Sequence, residues 1–102
     1  MSAKLPFDIP EENLKVFCKE NYIQKLSLFG SVLRQDFEDH SDVDILVEFE
    51  PDHVPGYKFI GIEKELSSLF GGRRIDLVTP KFLNHRIRQQ VLQSAEVIYA
   101  QG

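Results

Sequence analysis

The sequence predicts an α/β domain, a small mixed sheet with helices packed on it. Three observations point there. Short apolar runs of strand length alternate along the chain with longer segments whose apolar residues recur at helical spacing. The run Val43 to Phe49 (VDILVEF) is nearly continuously apolar, as a central strand covered on both faces is. Gly71-Gly72 then separates a helical segment from a further short run, RIDLV, which reads as a strand–helix–strand unit.

Each element has its own signal. Asp8-Ile9-Pro10-Glu11-Glu12 predicts a helix start, with a proline and two acids in the first turn. Leu14, Phe17 and Cys18 follow on one face, and Asn21 marks the stop. Ile23 to Phe29 predicts a strand that Gly30-Ser31 ends, and Val32-Leu33-Arg34 a short helical turn. Glu38 to Ser41 is a polar loop, Val43 to Phe49 the central strand, and Pro51 to Gly56 another loop. Tyr57 to Phe70 predicts a helix with Phe59, Ile60, Ile62, Leu66, Leu69 and Phe70 mostly on one stripe. Arg74 to Val78 is a third strand, Phe82 to Ser94 a last helix, and Glu96 to Ala100 a short closing strand. The long helical crossover allows the second and third strands to run parallel, while the short loop after Arg34 equally allows an antiparallel pair.

Size and composition bound the function. A chain of 102 residues suits one domain, and 42% hydrophobic residues with eight Phe supply a packed core. A net charge of −4 makes the chain as a whole no electrostatic attractor for nucleic acid, so no direct nucleic-acid partner is expected. The single cysteine, Cys18, excludes an internal disulfide and fits a reducing compartment. The N-terminus has no apolar signal region, and no stretch approaches the ~20 apolar residues of a membrane span. A cytoplasmic protein with no membrane partner is expected.

The chemistry lies in the acids. Asp42 and Asp44 are two residues apart where the central strand opens, so they share a face, about 6.6 Å apart by strand geometry. Side by side they repel, and a divalent cation between them relieves that. Mg²⁺ is a hard ion held by one or two carboxylates plus substrate phosphates. Asp76, between Ile75 and Leu77, becomes a third carboxylate if its strand lies beside the central one. Three acids can hold two metals in the arrangement used for phosphoryl-type transfer. Upstream, Gly30 lets the backbone approach a ligand, and Ser31 at a helical turn adds a hydroxyl to an anion cradle. Arg34, one turn on, brings positive charge for a phosphate.

Gly30-Ser31, ten further residues, then Asp42-Val43-Asp44 resembles the signature of the nucleotidyltransferase superfamily that includes DNA polymerase β. The short length, Arg34, Ser41 and Asp76 in RIDLV resemble its minimal nucleotidyltransferase (MNT) group, as does the tail LNHRIRQQVLQSAEVIY. Gln35 departs from the pattern, in which glycine commonly follows the arginine. The resemblance implies a polymerase β palm-like core and an antitoxin that moves AMP from ATP to a tyrosine hydroxyl of a partner HEPN toxin, a ribonuclease, within a hetero-oligomer. It implies two Mg²⁺ ions on Asp42 and Asp44, with Asp76 on the catalytic one and helping to deprotonate the acceptor. It also implies Gly30 and Ser31 on the triphosphate, and pyrophosphate as the product.

Plainer readings stand beside these. Asp42 and Asp44 also read as surface acids at a strand end, Asp76 as a partner of Arg74 on its own strand, and Ser31 as a helix cap. Arg34 also reads as a partner of Asp36 or Glu38. Arg73 and Arg74 read as solvated, the three histidines as surface residues, and Cys18 and the helically spaced Phe residues as core. Arg86, Arg88, Val97, Ile98 and Tyr99 are candidates for a partner contact. Two rival functions remain: a binding module that neutralises its partner by contact alone, and a transferase acting on a small molecule or RNA.

Overall fold

The computed structural model describes residues 9–33 and 41–101, without the side chains of residues 31 and 32. The order is α1 (Glu11–Glu20), β1 (Ile23–Phe29), a 3-10 turn (Gly30–Leu33), β2 (Val43–Phe49), α2 (Phe59–Leu69), β3 (Ile75–Val78), a second 3-10 turn (Pro80–Phe82), α3 (His85–Ser94) and β4 (Glu96–Ala100). The strands form one sheet in the order β3-β2-β1-β4. β1 runs antiparallel to β2 and to β4, while β2 and β3 are parallel. The sheet is mixed, as the sequence predicts, and the α2 crossover is what joins the parallel pair.

One face of the sheet carries the main core. Val43, Ile45 and Val47 of β2 alternate onto it, joined by Leu26 and Leu28 of β1 and Leu77 of β3. Leu14, Phe17 and Cys18 of α1 and Ile62 and Leu66 of α2 close over them. Cys18 is fully buried, and burial pushes its thiol up to about 12. It is a core residue and no nucleophile. Asn21 caps α1 as the sequence predicts, its side-chain amide donating to the Phe17 carbonyl at 2.9 Å. Gly72 ends α2 at φ +83°, donating its N–H to the Ser67 carbonyl at 2.9 Å.

Some expectations need correction. Ile60 is 63% exposed, because it lies two positions from buried Ile62 and so about 200° around the helix from it. Phe82 is 73% exposed and precedes α3 rather than opening it. Pro80 starts a separate 3-10 turn, and Asn84 then caps α3, its side chain accepting from the Arg86 N–H at 2.8 Å. Of the proposed contact residues, Arg86 and Val97 are exposed, whereas Ile98 and Tyr99 pack against the core. No described helix is long and apolar enough to cross a membrane.

Candidate active site

β1 ends where β2 and β3 begin, and the acids gather at that end of the sheet. The parallel register sets Asp44 directly beside Asp76. Adjacent strands lie about 4.8 Å apart, so these two residues are as close as sheet neighbours can be. Partners in register share a face, and Asp44 lies opposite the main core because its neighbours Val43 and Ile45 point into that core. Asp42 precedes Asp44 by two residues and completes the set. The sequence left the position of Asp76 conditional on which strand lay beside β2, and the topology meets that condition.

Gly30 is also there. Phe29 pairs with Asp44, and the chain then turns at Gly30 with φ +72°. A Cβ at that position would overlap Oδ2 of Asp44 and stand 3.2 Å from its Cγ. Glycine is therefore required twice, for the left-handed backbone and for room beside a carboxylate. Ser31 follows within the 3-10 turn. Arg34, His40, Asp36 and Glu38 lie outside the described residues.

Arg74 has a different partner from the one its sequence position implies. Its Nη1 is 3.8 Å from Oδ1 of Asp42, the residue before β2, and its carbonyl accepts the Val43 N–H at 2.8 Å. Asp76 is exposed. From Asp42 and Asp76 a groove of about 420 Å³ runs past Arg74 to Glu63, Lys64 and Ser67 of α2. That is a size which admits a small ligand. Sequence reasoning missed this α2 wall, having read the helix as a core stripe only. The available signal was a polar residue beside each buried one, Glu63 after Ile62 and Ser67 after Leu66. The other described histidines are peripheral: His53 stacks on Tyr22 with ring centroids 3.9 Å apart, and His85 is exposed.

The donor set is all hard oxygen, which suits Mg²⁺ rather than a softer ion. Among the described residues no three His, Cys, Asp or Glu side chains stand close enough to enclose an ion. The acids share neighbouring backbone positions rather than a closed cage, with Asp42 turned to Arg74 and Asp44 against Gly30.

The family profile "Polymerase beta, Nucleotidyltransferase" matches residues 12–102. The chain belongs to this nucleotidyltransferase family. It is 41% identical over 78 residues to the protein adenylyltransferase MntA of Thermococcus cleftensis, spanning 76% of this chain and 74% of that one. A toxin–antitoxin crystal structure with AMP-PNP superposes with a TM-score of 0.70 at 22% identity, covering 91% of this chain and 75% of that one. A tri-AMPylated Shewanella oneidensis HEPN toxin in complex with its MNT antitoxin gives 0.61 at 22%, covering 89% and 70%. At that identity the two structures show the nucleotidyltransferase fold and nothing finer.

Proposed function

We propose that this nucleotidyltransferase is an antitoxin that transfers AMP from ATP to a tyrosine hydroxyl of a partner HEPN toxin ribonuclease, in the cytoplasm and as part of a hetero-oligomer. The observation that carries the reading is the register pairing of Asp44 with Asp76, with Asp42 two residues before and Gly30 packed against Asp44. The 41% identity to a protein adenylyltransferase supports the substrate class, and the MNT antitoxin bound to an AMPylated HEPN toxin supports the partner.

Asp42 and Asp44 would hold two Mg²⁺ ions and Asp76 the catalytic one; when bound, the ions offset the charge of the triphosphate and of the transition state. Gly30 and Ser31 receive the triphosphate at the turn, where a missing Cβ leaves the backbone open. Asp76, at the exposed edge, accepts the proton of the incoming hydroxyl. The hydroxyl oxygen forms a bond to the α-phosphorus, the bond from that phosphorus to the β-phosphate bridge breaks, and pyrophosphate leaves with the electron pair. α3 buries none of its residues and exposes Ile87 and Leu92, which supports it as a contact for the partner.

Intact mass of the co-expressed HEPN partner, after incubation with this protein, ATP and Mg²⁺, tests the reading. A gain of one or more AMP groups is expected, and none with the double variant Asp42→Asn/Asp44→Asn. A tight, neutralising complex with no mass gain would replace catalysis by neutralisation through contact. Transfer to RNA or to a small molecule instead would replace the acceptor.

A further inference from the structure

Among the described residues β3 is a four-residue edge strand, paired only with β2. Such a strand has little to hold it, because every second residue turns its N–H and C=O away from the sheet. The Val43 N–H reaches the Arg74 carbonyl, so residues 74 and 76 face β2 and residues 73, 75 and 77 face outward. Two of those outward groups are taken by α2. Oε2 of Glu63 accepts the N–H of Leu77 at 3.3 Å, and Oγ of Ser67 donates to the carbonyl of Arg73.

The two contacts form one device. Glu63 and Ser67 are four residues apart, hence on one helical stripe. They meet residues 77 and 73 in reverse order, as a helix running back along its strand requires. Ile62 and Leu66, each preceding one of these residues, are buried in the core and fix the helix that carries them. Asp76 lies inside the span the two contacts bracket, and Glu63 holds the peptide link that follows it. Both side chains are half-buried and line the same groove as Asp42 and Asp76.

We infer that Glu63 and Ser67 clamp the open edge of β3, and that Glu63 is thereby a positioning residue for Asp76. The inference rests on the adenylyl-transfer reading for the use of Asp76, and on geometry alone for the clamp. Glu63 acts through its acceptor oxygen on a backbone N–H, so its charge is dispensable. Glu63→Gln keeps such an oxygen and Glu63→Ala removes it.

The test compares wild type, Glu63→Gln, Glu63→Ala and Ser67→Ala by amide hydrogen exchange at Leu77, by Mn²⁺ affinity and by steady-state transfer. Circular dichroism and melting temperature confirm the fold of each variant. In Glu63→Ala, Leu77 should exchange about ten-fold faster or more. Mn²⁺ should bind about 10- to 100-fold more weakly, as losses beyond the direct ligands do. Transfer kcat should fall on the order of 100-fold with KM for ATP little changed, because the misplaced group acts on the reacting atoms. Glu63→Gln should stay within a few-fold of wild type throughout, and Ser67→Ala should show a smaller version of the alanine effect. Glu63→Gln as damaging as Glu63→Ala would overturn the positioning role and make the carboxylate itself a ligand or base. Unchanged Leu77 exchange in Glu63→Ala would overturn the clamp. Faster exchange in a protein whose wild type neither binds Mn²⁺ nor transfers AMP would leave the clamp and overturn the reading of Asp76.

Discussion

β2 serves two regions of the molecule at once, and they obey opposite rules. Val43, Ile45 and Val47 lie on the face covered by α1 and α2 and are fully buried. Asp44, between two of them, points the other way and sits among Asp42, Asp76 and Gly30. The first face gains stability from each buried methylene. The second gathers like charges that work against folding. A period of two lets one seven-residue strand anchor its acids on a rigid core one residue away.

The largest expected effect breaks the first region. Ile45→Ala should cost about 2–5 kcal/mol, a cavity effect at a fully buried site. Chemical denaturation should show it as a lower midpoint, while Asp44→Asn, one residue away, should leave that midpoint unchanged or raise it. If Asp44→Asn destabilised as strongly as Ile45→Ala, the separation of the two faces would be lost.

Gly30→Ala sharpens the comparison from the other side. It forces a side chain into φ +72° and against the Asp44 carboxylate. A loss of about 1–2 kcal/mol is expected from the backbone conformation. Transfer should suffer more than stability does, by about 100-fold, because Asp44 is displaced. Equal loss in both would make the glycine merely structural.

The smallest effect belongs to Arg74. Its pair with Asp42 is solvent-exposed on both sides, so Arg74→Ala should change stability by no more than about 0.5 kcal/mol in denaturation at moderate salt. A larger loss would mean that the site depends on this cation for its shape.

Much of the fold was legible where apolar runs and punctuation agree. Ile23 to Phe29, Val43 to Phe49 and Glu96 to Ala100 have the bounds that their runs imply. Helix ends drifted where a local cap competes with periodicity, as when Asn84 starts α3 beyond Phe82. Within the site, the Asp42/Asp44 spacing is local and readable. The pairing of Asp44 with Asp76 is not, since strand neighbours are set by packing of the whole sheet. The same limit explains Arg74, whose reach to Asp42 joins the starts of two strands far apart in the chain. Glu63 and Ser67 gave only a faint mark, two polar residues on the edge of an apolar stripe.

The short β3 edge has a bearing on time and temperature as well. Asp44 and Asp76 meet only after the chain between them has closed a crossover of about thirty residues, a slow, non-local step compared with pairing β1 to β2. Competence therefore arrives late in folding. It also leaves early on warming, because a four-residue border strand can fray while the rest of the sheet stays closed. Transfer activity should fade some degrees below the main melting transition, and return on cooling without any need to refold the whole domain.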